Sequence, residues 1–535
     1  MLQVSWCNLS RWLAFGLISG VLLWWYAYSL PERLFVAVHS AVLLDQHERL
    51  LSAHIANDGQ WRFPELSQVP PKFAQAIVQF EDRRFNEHAG VDFIALGRAT
   101  LDNLKARHVV SGASTLSMQV IRLSRANPPR TFAEKIVELL RAWRLESRYS
   151  KPDILTLYAS HAPFGGNVVG LEAAAWRYFG RDPAQLSWAE TAMLAVLPNN
   201  PALIHLNRNR PQLLAKRNRL LTRLYAVQAL SKLDYELALA EPLPEAPHAL
   251  PRLAPHLLDT LMQQYPTQQR FHVTLDANLQ QQLVTLAQRV GEQLALEGVQ
   301  NLAILVLDNH SFAVKAYIGN RPMNSFAPDR GHAIDMIQRP RSTGSTLKPL
   351  LFADMLEQGL ITPDSLVADV PVNYTGFTPQ NFNRNYNGAV SAREALARSL
   401  NIPFVNLLSV RGVEPFLMQL RQLGFQHMPR SAQHYGLSLV LGGAEANLWE
   451  LTAAYANLAN RAQQSFQQQR STWLQPTLLN NASPQTQRMA TLSTASAWLT
   501  LDALLAVARP GDENYWEKFS SSRKVAWKTG TSYGQ

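Results

Sequence analysis

Arg341-Ser-Thr-Gly-Ser345-Thr-Leu-Lys348-Pro349 is the stretch on which the fold turns. It holds a Ser-x-x-Lys element, and three residues apart on a helix the two side chains share a face. A lysine so placed can take the serine's proton once desolvation or a neighbouring cation lowers its pKa. Gly344 permits a tight entry, and Pro349 is tolerated because first-turn N–H groups have no helical partner. Alone the pattern is weak. Roughly one or two matches are expected by chance in a chain this long, and Ser521-Ser-Arg-Lys524 is another that reads as a polar turn. What sets Ser345 apart is its company: Ser399-Leu-Asn401 and Lys528-Thr-Gly530 follow it in order. Chance yields that ordered triple roughly once in a thousand chains or less.

The first half holds a second cluster. Glu81-Asp82-Arg-Arg84-Phe85-Asn-Glu87-His88-Ala-Gly90-Val-Asp92 packs four acids, two arginines and a histidine into a dozen residues. At a helix end such a cluster is usually a solvated face. Its neighbours argue otherwise. Gly112-Ala-Ser114-Thr115-Leu-Ser-Met-Gln119 is small and hydroxyl-rich, able to approach an anion with several donors. Lys135 and Glu138 lie three apart on one helical face. Hydroxyls, a lysine and two separated carboxylates suit sugar transfer from a diphosphate donor. One carboxylate deprotonates the acceptor hydroxyl, while cations or a metal neutralise the leaving group.

The 535 residues predict about three or four units at roughly 150 residues each. At 47% hydrophobic and 17% charged, the chain is not disordered, and a single long apolar run excludes a polytopic transporter. Fifty Lys+Arg against forty Asp+Glu leave a net charge of +10. That excess suits an anionic surface or phosphorylated substrate but is too spread out to indicate nucleic acid. The one cysteine, Cys7, excludes a disulfide framework and a cysteine-ligated metal site.

Trp12 to Leu30 is about 19 residues without a charge, enough to cross a hydrocarbon core. Trp24, Trp25, Tyr26 and Tyr28 gather at its end, as at a membrane interface. A cleavable signal peptide, with a poor Ala27-Tyr28-Ser29 site, is the competing assignment. In either case nearly all of the chain lies outside the cytoplasm, although Arg11 alone supplies the positive-inside signal. The expected layout is a cytoplasmic N-terminus at 1–11, an anchor at 12–30 and a connector at 31–69. A helical domain at 70–240, a linker at 241–298 that opens with the proline-rich stretch Glu241 to Pro255, and a mixed α/β domain at 299–535 follow. Pro70-Pro71 opens the first domain helix, and Thr131-x-x-Glu134 reads as a capping box for a later one. Leu302–Leu307 and Ala313–Ile318 read as a hairpin, and Lys524–Trp527 as a short late strand.

The serine triple, with Ala397-Arg-Ser-Leu-Asn-Ile-Pro403 and Asn381 through Gly388, resembles the transpeptidase domain of penicillin-binding proteins. The resemblance implies that Ser345 attacks the D-Ala-D-Ala carbonyl of a stem peptide with Lys348 as base. Ser399 would relay a proton to the leaving D-alanine, and Asn401 would hold a substrate amide. Lys528, Thr529, Gly530 and Thr531 would line the carboxylate site, with the N–H groups of Ser345 and Thr531 as oxyanion hole. The first-half clusters are similar to the motifs of peptidoglycan glycosyltransferases. There Glu81 would be the general base for the acceptor sugar's 4-hydroxyl, the lipid-linked diphosphate leaving with inversion. Glu138 would be the second essential glutamate. Asp82, Phe85, His88, Ser114, Thr115, Gln119, Arg122 and Lys135 would contact sugar or diphosphate. Pro163-Phe-Gly-Gly166 with Gly170, and Ala189-Glu190 through Pro198, extend the match.

The pair of domains, and His161-Ala-Pro-Phe-Gly-Gly in particular, look most like the 1C type of bifunctional class A penicillin-binding protein. That implies a multidomain fold: one N-terminal transmembrane helix, a mostly α lysozyme-like glycosyltransferase domain and an α/β, serine β-lactamase-like transpeptidase domain. It also implies an inner-membrane protein with its bulk periplasmic, taking lipid II, the growing glycan strand and stem peptides ending in D-Ala-D-Ala. β-Lactams would inhibit it, wall-synthesis proteins are conceivable partners, and Mg2+ or a similar divalent cation is allowed for glycosyl transfer. Two departures stand out. Glu134-Lys135 replaces the usual Arg-Lys, with Glu134 expected to turn back to the helix end, and Ala159-Ser160 replaces Leu-Asn. The chain ends at Gln535, soon after the Lys-Thr-Gly strand, so the resemblance implies an incomplete transpeptidase domain of poor activity. A β-lactamase or D,D-carboxypeptidase would share the serine triple but not the first-half motifs. A non-catalytic penicillin-binding scaffold would show neither polymerisation nor acylation.

Overall fold

The computed structural model describes residues 28–106, 112–129, 131–199, 209–322, 331–464, 473–480, 492–508 and 523–532, with a few isolated positions between. The apolar run at 12–30 and Ser521 lie almost wholly outside these residues. Among the described residues no helix is long and apolar enough to cross a membrane. The fold divides into two compact units: Met1–Leu43, Arg49–Arg252 and Tyr265–Phe271 form one, and Leu44–Glu48, Leu253–Gln264 and His272–Gln535 the other.

The first unit is mainly helical. Helix α1 (Pro71–Glu81) starts with proline at its first turn and buries Phe73, Ala76 and Ile77. It stops at Asp82, whose extended backbone leads into a turn sealed by fully buried Phe85. Helix α2 is Phe93–Ala106, α3 Leu116–Ser124, α4 Phe132–Glu146 and α5 Lys151–His161. Gly90 is required between α1 and α2: its φ is +89°, and a Cβ there would sit 2.6 Å from the Ala142 carbonyl oxygen. Thr115 caps α3 by accepting from the Met118 N–H and donates its own hydroxyl to the Gly90 carbonyl at 2.7 Å. A small sheet then forms, with Trp61–Arg62 parallel to Val168–Val169 and the latter antiparallel to Pro163–Gly165.

The expected capping box of α4 forms only in part. Thr131 accepts from the Glu134 N–H, but the Glu134 carboxylate turns away to both terminal nitrogens of Arg125 at the end of α3. An arginine fork competes successfully with a single backbone N–H for that carboxylate.

In the second unit the expected hairpin is present: Ile304–Leu307 pairs antiparallel with Val314–Ile318, with a bulge at Val306/Leu307. Asp308 closes its turn by accepting from the His310 and Ser311 N–H groups. The residues 241–298 are not a plain linker, since they carry the helices Pro255–Gln264 and Ala277–Leu296. The core gathers Leu350, Leu351 and Phe352 with Phe404, Val405, Leu408, Leu458 and Leu504. The expected strand at Lys524–Trp527 does not form. Residues 523–532 are irregular; the Trp527 N–H donates to the Leu504 carbonyl at 3.5 Å, Lys528 Nζ donates to Ser399 Oγ at 2.8 Å, and Ala526 and Trp527 pack on the core. Apolar packing alone does not impose a ladder.

Candidate active sites

In the first unit a groove of about 370 Å³ is lined by Glu81, Ser114, Gln119, Arg122, Tyr158 and residues flanking them. Helix α3 organises it. Gln119 and Arg122, three apart and hence on one face, reach in turn to the two glutamates. Gln119 Nε2 donates to Glu81 Oε2 at 2.7 Å. Arg122 forms a fork on Glu138, Nε to Oε1 at 2.6 Å and Nη2 to Oε2 at 2.8 Å. Lys135 Nζ lies 3.4 Å from Glu138 Oε2 and donates to Ser114 Oγ. Two cations thus meet one buried carboxylate beside the groove.

Not every expected contact faces that groove. Asp82 is 6% exposed and accepts from His88 Nε2 at 3.0 Å and from the Leu116 N–H at 3.0 Å, so it holds the start of α3. Phe85 is core, with Lys151 Nζ 4.2 Å above its ring, and Thr115 is buried as a cap. The residues Asp82, Phe85, His88 and Thr115 shape the loop rather than line the groove. For a divalent cation the donor set fits poorly. Both Glu138 oxygens are taken by cations, and among the described residues no three His, Cys, Asp or Glu side chains converge.

Tyr158 has no signal in the sequence, being one aromatic in an apolar helix. Its hydroxyl is buried without a hydrogen-bond partner among the described residues. Burial, and then the Glu81 carboxylate, push its pKa well above the ordinary phenol value. It stays neutral, a donor against the wall of the groove.

In the second unit, Ser345 sits in a 3-10 turn, Gly344–Leu347, that runs into the helix Lys348–Glu357. Gly344 has φ +52°, and a Cβ there would lie 2.6 Å from the Thr531 carbonyl oxygen, so only glycine lets the 528–531 segment close on the serine. Lys348 is fully buried. Its Nζ donates to the Ser399 carbonyl at 2.8 Å, the Leu400 carbonyl at 3.0 Å and Asn401 Oδ1 at 2.8 Å. Desolvation, then Lys528, hold its pKa well below the ordinary lysine value. No hydrogen bond joins Lys348 to Ser345 Oγ. Lys528 Nζ donates to Ser399 Oγ at 2.8 Å, and burial lowers its pKa to about 8.

Ser399 has φ +56°, a left-handed conformation that is strained for a β-carbon residue and common where a site demands it. Asn401 does not cap its helix; its Nδ2 donates to the Gln380 carbonyl at 2.8 Å. Asn381 does that work, its Oδ1 accepting from the Asn401 and Ile402 N–H groups while Asp369 Oδ1 fixes its amide at 2.7 Å. Thr529, Gly530 and Thr531 are exposed beside the serine, and the Cβ position of Gly530 is 3.4 Å from the Ser345 N.

Residues 48–225 match the transglycosylase family and residues 302–534 the penicillin binding protein transpeptidase domain. Penicillin-binding protein 1C of Escherichia coli is 37% identical over 479 residues, covering 89% of this chain and 60% of that protein. Penicillin-binding protein 1B of Escherichia coli is 28% identical over 524 residues, with 90% and 60% covered. The structure of penicillin-binding protein 1A from Haemophilus influenzae aligns with a TM-score of 0.47 at 15% identity, over 91% of this chain and 82% of that one. The chain spans about 60% of the length of the two Escherichia coli relatives.

Proposed function

Because the chain belongs to the class A penicillin-binding proteins, with a transglycosylase domain ahead of a transpeptidase domain, we propose that it is a peptidoglycan synthase. Its first unit polymerises lipid II; its second is a serine D,D-transpeptidase and penicillin target. The single observation that carries the first half is α3, whose Gln119 holds Glu81 in the groove while Arg122, also lining it, is braced from behind by buried Glu138. Glu81 removes the proton of the acceptor hydroxyl, that oxygen forms the new glycosidic bond, and the bond to the diphosphate breaks. Arg122 and Lys135 meet the charge that departs, a stabilisation that grows as the transition state is reached. Glu138 holds the two cations in place. Residues 12–30 anchor the enzyme, which suits a lipid-borne donor.

In the second unit Ser345 attacks the peptide or β-lactam carbonyl. Its proton goes to Lys348, and Ser399, held by Lys528, passes a proton to the leaving amine. Since Lys348 donates to three oxygens and none of its bonds reaches Ser345, it must turn and shed its proton before acylation.

The test is Glu81→Gln, assayed by gel with labelled lipid II. Polymer formation should fall by about a thousandfold, with the unfolding midpoint unchanged. Wild-type polymerisation by the variant would overturn the base assignment. Failure of a fluorescent penicillin to label Ser345 would overturn the transpeptidase assignment.

A further inference from the structure

Tyr158 is a buried titratable group with no part in the steps of glycosyl transfer described so far. It lies in the last turn of α5, is 1% exposed, and lines the groove together with Glu81 and Gln119. Its hydroxyl has no hydrogen-bond partner among the described residues. A buried hydroxyl without a partner costs stability, and phenylalanine would fill the same space without that cost. The packing of α5 therefore gives no reason for the oxygen.

The charged side chains around it are matched to one another. At the end of α1, Asp82 accepts from His88 at 3.0 Å. From α3 and α4, Arg122 and Lys135 both meet Glu138. On α5 itself, His161 Nε2 lies 2.8 Å from Glu65 Oε1, and its ring stacks on Phe35 with centroids 3.6 Å apart. Glu81 differs, because a neutral amide, that of Gln119, donates to its Oε2. Burial, and then the Glu81 carboxylate, keep the Tyr158 phenol in its neutral, donating form. A carboxylate offers about four lone-pair sites, so a phenol can join the amide there.

A diphosphate in the groove adds negative charge, which favours a protonated Glu81, the form that cannot act as a base. A neutral O–H on that carboxylate opposes the effect without placing another cation in competition for the diphosphate. We propose that Tyr158 is a positioning residue for the general base: as the groove fills, its O–H donates to the Glu81 carboxylate and holds it ionised and turned to the acceptor hydroxyl. This role rests on Glu81 being the base.

The test follows polymerisation of labelled lipid II by the full-length protein from about pH 4 to 8, with kcat and KM separated. Wild type, Tyr158→Phe and Glu81→Gln are compared. Without the phenol O–H the carboxylate takes its proton at higher pH, so Tyr158→Phe should move the acid limb of kcat up by about one pH unit and leave KM near the wild-type value. The loss should be about tenfold below the limb and narrow as Glu81 ionises in both proteins. His88 and His161 are common to both, so the difference between the profiles reads Glu81. The unfolding midpoint of Tyr158→Phe should be no lower than that of wild type. Coincident acid limbs, a loss equal at every pH, or a lowered midpoint would each overturn the proposal. Wild-type polymerisation by Glu81→Gln sinks the base assignment and this role with it, whereas an inactive Glu81→Gln beside coincident limbs sinks this role alone.

Discussion

The two units use lysine in opposite ways. Lys135 is about a third exposed and faces Glu138 and a hydroxyl, an environment that suits a cation waiting for a diphosphate. Lys348 is fully buried, faces carbonyl and amide oxygens and has a second lysine near it, and burial and that lysine lower its pKa. The first site is assembled by side chains on adjacent helices, the second by backbone segments that meet from positions 344, 399 and 531. A side-chain site loses chemistry when one residue changes. The second site depends in addition on glycine and on strain.

The largest effect expected is separation of the two activities. Glu81→Gln should cost about a thousandfold in polymerisation while penicillin labelling of Ser345 keeps its rate. Coupled loss of both in one variant, at an unchanged unfolding midpoint, would break the comparison. Next comes the buried pair of the first unit. Arg122→Ala leaves Glu138, 3% exposed, with Lys135 alone, and removing one partner of such a pair destabilises by about 3 kcal/mol. Calorimetry should show the first unit melting earlier. The double variant Arg122→Met, Glu138→Leu should regain most of that stability and none of the polymerisation, because packing replaces the pair but not its charge.

The pH profile sharpens the other side. Lys348 acts as a base only when neutral, so labelling of Ser345 rises with pH as that group sheds its proton. Lys528 attracts the ligand carboxylate only when charged, so labelling turns down above about 8, where it titrates. Rates measured from pH 6 to 10 should fall about tenfold per unit at the alkaline end. Lys528→Arg, which stays charged, should move that limb out of range; an unmoved limb would assign it elsewhere.

Much of this was legible in the sequence because it is local. Ser345 and Lys348, Lys135 and Glu138, and Pro70-Pro71 ahead of α1 all follow from spacing on one helix. What escaped depends on chain that returns from far away. Nothing near Tyr158 announces that its hydroxyl will be sealed beside Glu81, and nothing near Asn381 announces that it caps the helix carrying Asn401. Nothing near Asp82 and Thr115 announces that both will be buried while they hold the loop. Polar residues beside a glycine-rich loop serve equally as substrate contacts or as the bonds that hold that loop, and only burial decides.

The smallest effect tests how α4 is held, and through it the cations of the first site. Thr131 accepts from the Glu134 N–H at 3.2 Å, and loss of such a cap costs about 1 kcal/mol. In a reciprocal box Glu134→Gln would weaken the same helix end. Here the Glu134 side chain is committed to Arg125, so that substitution should leave the cap untouched. Hydrogen exchange at the first turn of α4 distinguishes the cases. Thr131→Ala should speed exchange about fivefold there, and Glu134→Gln should not. Polymerisation should follow the same order, because Lys135 and Glu138 ride on the turn that frays. Equal exchange in both variants would restore the reciprocal box and assign the Arg125 pair no part in placing the helix.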